Sequence, residues 1–240
     1  MSVYVTGDIH GYPIRLTEEN LQKIGVSLTK EDKLLICGDF GLPWYNDEEE
    51  LQCIEWLAKK PFEILFIDGN HENFDLLNDF PVEARYGGKV HKLRDNIYHL
   101  MRGEVYEIEG KTFFTFGGAT SFDKHMREEN ISWWMEEIFT KEEQLNAIQN
   151  LERKGNNVDF VITHTAPRKF LTNSLEHLQG ADACMVSEFL DELSCKINYE
   201  KWYFGHFHID VKINEVSTCM YENIVEIKYI NEIYSFLQAK

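Results

Sequence analysis

Long apolar runs are missing from this 240-residue chain. None approaches the ~18 consecutive residues that a bilayer-spanning helix needs, so no transmembrane helix and no membrane partner are expected. Positive charge is scarce: 24 Lys and Arg stand against 41 Asp and Glu, a formal net charge of −17. No Lys/Arg-rich tract occurs, and such a surface repels long polyanions, which argues against a general nucleic-acid binder. The five cysteines (Cys37, Cys53, Cys184, Cys195 and Cys219) contain no C-x-x-C pair. That odd, unpaired set suggests neither a disulfide scaffold nor a zinc finger and fits a reducing compartment. Low-complexity tracts and linkers rich in Pro, Gly or Ser are also lacking, so one domain over residues 1–240 is expected. The first residues lead straight into Val3-Tyr4-Val5, as expected without a signal peptide, and a cytoplasmic location is the expectation.

What the chain does have is five short polar blocks, each just after an apolar run. Val3-Tyr4-Val5 precedes Gly7-Asp8-Ile9-His10-Gly11, and Leu34-Leu35-Ile36-Cys37 precedes Gly38-Asp39. Ile64-Leu65-Phe66-Ile67 precedes Gly69-Asn70-His71-Glu72. Phe160-Val161-Ile162 precedes Thr163-His164, and Trp202-Tyr203-Phe204 precedes Gly205-His206-Phe207-His208. The apolar runs read as buried strands. Their polar blocks then fall at one end of a sheet, where open α/β folds place ligands.

Asp8, Asp39 and Asn70 are each 31 residues apart, about one strand–helix–strand unit. Helices are expected over 14–24 and 47–59, the second burying Leu51, Ile54, Trp56 and Leu57 and ended by Pro61. Short strands are expected over 90–93, 97–101, 105–108 and 112–116, with Glu109-Gly110-Lys111 as a hairpin turn. Further helices are expected over 141–154 and 181–193, and strands between 211 and 237. The pattern describes two packed sheets with helices outside.

Glu72 aside, the blocks supply two carboxylates, one amide and five imidazoles. Asp8 and His10 are two apart, as are His206 and His208, so on extended backbone each pair points the same way. Imidazole with carboxylate and amide favours Mn, Fe, Zn, Co or Ni over an all-oxygen Mg or Ca site, and Mn is the favoured expectation. Two ions held ~3.5–4 Å apart need an anionic bridge, and Asp39 is the natural candidate. The framing glycines let the chain turn sharply beside the ions.

In their order D-x-H, GD, GNH[DE], H and GHxH, over residues 7–208, these blocks resemble the calcineurin-like metallophosphoesterase superfamily. The resemblance implies an α/β (α+β) four-layer αββα sandwich, with two mixed sheets face to face and helices outside. It implies two divalent ions, one held by Asp8, His10, Asp39 and His208, the other by Asp39, Asn70, His164 and His206. His71 is then the unligated, catalytic imidazole that contacts the phosphoryl group, and a water activated between the ions is the nucleophile. The implied activity is metal-dependent phosphoric ester hydrolysis, as a phosphodiesterase or phosphomonoesterase. The charge balance points to a small soluble ester and leaves long nucleic acid as an unexpected partner.

One departure bears on substrate. Phosphatases of the superfamily continue the second block as GDxxDRG, whereas Gly38-Asp39-Phe40-Gly41-Leu42-Pro43-Trp44 lacks the second Asp and the Arg. Lys124, Arg127 and Arg168 are the candidate replacements for that cationic contact. A nuclease or nucleic-acid end-processing enzyme, a serine/threonine protein phosphatase-like enzyme and a non-catalytic scaffold are the alternatives. Residues 119–140, polar and irregular after Gly117-Gly118, are expected to flank the active site, anchored by Trp133 or Trp134. Glu72 is expected to be a structural acid beside the ligands. His91, His99, His125 and His177 are expected to be surface or satisfied core residues. Nothing in the sequence sets an oligomeric state.

Overall fold

The computed structural model describes residues 1–171 and 184–227. His177, the first part of the expected 181–193 helix and the terminal strand residues beyond 227 lie outside them. The element order is β1 (Val3–Thr6), α1 (Glu18–Lys23), β2 (Lys33–Ile36), α2 (Glu48–Ala58), β3 (Glu63–Phe66), α3 (Phe74–Asn78), β4 (Val82–Arg85), β5 (Gly88–Arg94), β6 (Ile97–Leu100), β7 (Val105–Ile108) and β8 (Lys111–Phe116). There follow α4 (Lys141–Arg153), β9 (Phe160–Thr163), α5 (Arg168–Leu171), α6 (Met185–Ser194), β10 (Lys201–Phe204), β11 (Val211–Lys212), β12 (Ser217–Cys219) and β13 (Val225–Glu226).

Among the described residues these strands form two mixed sheets, in the orders β13-β1-β2-β3-β6-β5-β4 and β11-β12-β10-β9-β8-β7. Strands β1, β2, β3 and β6 run parallel, as do β8, β9, β10 and β12. Three buried apolar clusters correspond to three layer contacts. Alternate residues of β1–β3 (Val3, Val5, Leu35, Leu65) meet Phe113, Phe160 and Ile162 of the second sheet. Leu34, Ile36, Ile64 and Phe66 face the helical layer that contains Ile54 and Leu57 of α2. Phe114, Phe116, Val161 and Trp202 face α4 and α6. A strand buried on both faces must be apolar at every position, which is why the five runs read as unbroken. Each fully buried Leu or Phe contributes roughly 1.5–3 kcal/mol. The result is the expected αββα sandwich.

Local departures have local causes. The expected helix over 14–24 is a 3-10 turn at Pro13–Leu16 followed by α1. Thr17 breaks it by adopting extended backbone and accepting the Asn20 N–H as an N-cap, 3.4 Å. On α2, Ile54 and Leu57 are buried as expected, but Leu51 is exposed. The hairpin turn uses left-handed Glu109 and Gly110, φ 51° and 73°, which suits a two-residue loop between twisted strands. α3 and β4 were not anticipated, because five residues and a mostly exposed four-residue edge strand carry little periodicity.

Candidate metal centre and active site

Parallel pairing brings Thr6, Ile36 and Phe66 level in one sheet, and Phe116, Thr163 and Phe204 level in the other. Every polar block starts within a few residues of that common edge, so all five converge. The chain must bend tightly to aim them. Non-glycine residues at His10, Asp39, His206 and His208 have φ of 49°, 48°, 70° and 51°. Left-handed backbone at such residues costs on the order of 1 kcal/mol or more each and concentrates at functional sites. Gly69 and Gly205 matter for space instead, since a Cβ there would run into Asp39 Oδ1 and Asp8 Oδ1 respectively.

Asp8, His10, Asp39 and His208 offer ligand atoms that all lie within 4.8 Å of one another. His10 Nε2 is 2.9 Å from His208 Nε2 and 3.6 Å from Asp39 Oδ2, while His208 Nε2 is 3.1 Å from Asp8 Oδ2. Beside them, His164 Nδ1 donates to the Cys37 carbonyl at 2.8 Å. This aims Nε2 at Asn70 Oδ1, 3.0 Å, and Asp39 Oδ1, 3.3 Å. A histidine ligand is commonly oriented by such a bond from its other nitrogen. The Asn70 amide donates to Ser121 Oγ at 3.1 Å, which leaves its oxygen facing His164. Asp39 thus turns one oxygen to each half of the cluster.

The electrostatics suit the cluster to cations. Burial would raise the Asp8 carboxyl, but hydrogen bonds with His10 and His208 overcome it and hold the group at about 2. Burial likewise opposes the charged form of His164, yet Asp39 outweighs it and lifts the imidazole to about 10. The bond to Asp8 raises His208. His206 is pushed the other way, to about 3, by burial and by neighbouring His164. Its Nε2 is a buried atom without any hydrogen-bond partner. A neutral imidazole lone pair, buried among carboxylates and imidazoles, fits a transition-metal ion far better than any proton donor present.

A prediction follows from His164. Its folded value lies above the ordinary 6.5, so the His164–Asp39 pair stabilises the cation-free fold fully below pH 6.5 and loses that effect as pH rises through about 10. Between those limits a divalent ion must displace the proton. Manganese affinity is expected to rise with pH from 6.5 toward 9, with about one proton released from His164. Titration calorimetry in buffers of different ionisation enthalpy measures this; identical heats in all buffers would contradict it.

His71 lies against this cluster, its ring 5.1 Å from that of His10. Burial lowers its pKa; Asp39 opposes this and Arg127 adds to it. Arg127 Nη1 and Nη2 sit 3.2 and 3.4 Å from the two ring nitrogens, and the same guanidinium pairs with Asp123 at 2.8 Å. Glu72 points away: its two oxygens accept the Phe40 and Gly41 N–H groups at 2.8 and 3.0 Å. It is therefore the structural acid expected, tying down the loop after Asp39. Beside His10 and His71 opens a cleft of about 530 Å³, walled by Tyr12, Trp44 and Tyr45 and rimmed by Asp47 and Glu49.

Of the three candidate cations, only Arg127 is found at His71. The Lys124 ammonium lies over the Trp133 ring, 5.5 Å from its centroid. Arg168 opens α5, and its guanidinium turns to Glu188 of α6 at 3.4 Å, with no contact to the cluster found among the described residues. Trp134 is 1% exposed and donates its indole N–H to Asp75 at 2.9 Å, pinning the 119–140 segment. Sequence reasoning missed Ser121 and the buried Asp68, whose carboxylate receives the Arg102 Nε–H at 2.8 Å directly before the Gly69-Asn70-His71 turn. The position of Asp68 beside the third block was the available signal.

Residues 1–210 match the calcineurin-like phosphoesterase family, and the chain belongs to it. Two solved structures are similar to it. One is a Staphylococcus aureus protein provisionally named a 5'-nucleotidase, in complex with alpha-ketoglutarate, at 18% identity and TM-score 0.45 over 92% of this chain and 48% of that one. The other is phosphopantetheinyl hydrolase from Mycobacterium tuberculosis, at 16% identity and TM-score 0.37 over 92% and 90%. The chain thus spans about half the length of the first. No curated protein sequence matches it. The family so described is one of phosphoesterases, and among the described residues no helix is long and apolar enough to cross a membrane.

Proposed function

We propose that this chain is a cytoplasmic, binuclear-metal hydrolase of small phosphate esters, acting as one domain. The observation that carries the reading is the placement of Asp39, with Oδ2 toward His10 and Oδ1 toward His164. Asp8, His10 and His208 complete one ion site; Asn70, His164 and His206 complete the other. Two divalent ions bound there supply Lewis-acid charge at the phosphoryl group and lower the pKa of water.

The chain's own groups divide the remaining work. His71, ungripped by the ligand cluster, delivers a proton to the departing ester oxygen. Arg127 holds the His71 ring from one side and offers its guanidinium to a non-bridging phosphoryl oxygen, in place of the arginine missing from the second block. The Tyr12–Trp44–Tyr45 cleft receives the organic group of the ester. Its rim carries carboxylates and no cation, so it favours an uncharged or cationic leaving group over a polyanion.

A matrix of metals against substrates tests this. Manganese-loaded protein is expected to hydrolyse bis-p-nitrophenyl phosphate or p-nitrophenyl phosphate, and to show no steeply salt-dependent oligonucleotide binding. Failure on both esters would favour a scaffold; strong oligonucleotide binding would favour a nuclease.

A further inference from the structure

The cleft beside His10 and His71 is walled by Tyr12 and by the loop that leads into α2. Trp44 is its fixed ring. The Trp44 carbonyl accepts from the Asn73 amide at 2.7 Å, and the indole packs edge-on against Trp134 at 5.3 Å. The Trp44 ring centroid lies 6.4 Å from that of His71, the imidazole assigned to the departing oxygen. Tyr12 and Tyr45 line the same cleft and are 80% and 75% exposed. The Tyr45 ring stands at 71° to Trp44, with centroids 6.5 Å apart. Aromatic surface left this open at a cleft marks a ligand-binding wall.

The backbone donors nearest these rings are already taken. Glu50 Oε2 accepts the Trp44, Tyr45 and Asn46 N–H groups at 2.9, 2.8 and 2.8 Å. The Gly11, Tyr12 and Gly41 N–H groups bond Phe40, Ile9 and Glu72. No Lys or Arg lines the cleft, and among the described residues neither Asp47 nor Glu49 forms an ion pair. The N-terminus of α2 brings about half a positive charge to this wall, but Asp47, Glu48, Glu49 and Glu50 in its cap and first turn outweigh it. Open rings beside uncompensated carboxylates hold an organic cation, by cation–π attraction and by charge. A quaternary ammonium suits such a wall best, since it has no N–H to leave unpaired.

We propose that the leaving alcohol of this enzyme's substrate carries a quaternary ammonium group about two carbons from the ester oxygen. The assignment rests on the phosphoesterase reading and names the substrate class for it. The ammonium sits against Trp44, with Tyr12 and Tyr45 about its methyl groups and Glu49 supplying charge. A cation binds within about 6 Å of a ring centroid, and Trp44 is the neighbour of His71, so only a short spacer fits between cation and ester oxygen. In the reaction an activated water forms the new bond to phosphorus as the ester P–O bond breaks. The bonding pair leaves with the ester oxygen, which takes a proton from His71 and departs as the hydroxyl of the ammonium alcohol. A proton from the attacking water restores the imidazolium.

The phosphate monoester and the methyl phosphodiester of choline test this against those of its uncharged isostere, in which tert-butyl replaces trimethylammonium. Alcohol release by the manganese-loaded protein is measured at physiological ionic strength, so that general attraction to the acidic surface is screened. The choline ester is expected to have at least about tenfold the kcat/KM of the isostere, the scale of a desolvated cation–π contact. The difference should lie in KM, because the ammonium is held equally before and during P–O cleavage. Trp44→Leu and Glu49→Gln are each expected to cut that ratio about threefold or more. Tyr45→Leu, at an exposed position, serves if Trp44→Leu does not fold. Choline alone is expected to shift the Trp44 indole N–H resonance saturably in metal-free protein, a readout that needs no turnover. Equal kcat/KM for the two esters, a higher value for the phenylethyl ester, or an unmoved Trp44 resonance would overturn this assignment alone. Absence of turnover on every ester, p-nitrophenyl esters included, would overturn the phosphoesterase reading and this assignment with it.

Discussion

Asp39→Ala is expected to lower kcat by at least about 10³-fold, and the bound divalent ions from two per chain to one or none, because among the described residues no other carboxylate lies between the two halves of the site. The cation-free protein should also lose stability. Asp39 is 1% exposed, accepts the His71 N–H at 2.7 Å and faces the charged His164 at 3.3 Å. Removing one partner of a buried ion pair costs about 3–5 kcal/mol, because the other charge is left stranded. Here His164 can shed its proton, so the loss should shrink at pH above 10. Asp39→Asn keeps the shape and the acceptor for His71, and it should separate the two effects by folding better while still losing the second ion. Metal content by elemental analysis and urea unfolding read these outcomes. Two ions and near-normal turnover in Asp39→Ala would contradict them.

His71→Ala should act on a different step and leave metal content unchanged. Protonation of a leaving oxygen by a positioned side chain contributes typically about 10²–10⁴-fold. The full loss is expected with alkyl phosphate esters, whose alkoxide departs only with a proton. A much smaller loss is expected with p-nitrophenyl esters, whose phenolate leaves without one. The pH profile carries a second signature. Burial lowers His71 and Arg127 lowers it further, so the acid form is lost early as pH rises. Replacing Arg127 with Met should move the alkaline limb of the kcat profile upward. Equal losses for both ester classes would assign His71 to binding.

The candidate metal cluster was legible in sequence because the chemistry it suits tolerates few residue types. Asp-x-His, Gly-Asp, Gly-Asn-His and Gly-His-x-His each follow a strand doubly buried in the sandwich, and parallel register does the rest. The strands themselves were readable for the same reason. What the sequence did not disclose depends on tertiary contact. Arg168 follows His164 so closely that it resembles a site residue, but α5 begins there and directs it to Glu188. Arg127 lies 56 positions from His71 on a stretch with no period, which tertiary contacts such as the docking of Trp134 against Asp75 and Trp44 hold at the strand ends. Ser121 could not be found from its own neighbourhood, since its importance comes from the amide of Asn70. Helix breaks such as Thr17 are set by a side-chain cap whose competing helical alternative looks equally good in sequence.

Anomalous diffraction from crystals of the manganese-loaded protein is the most direct measurement. Two peaks are expected about 3.5–4 Å apart, one among Asp8, His10, Asp39 and His208, the other among Asp39, Asn70, His164 and His206, with Asp39 touching both. A single peak, or none within reach of Asp39, would contradict a paired-ion centre at these strand ends.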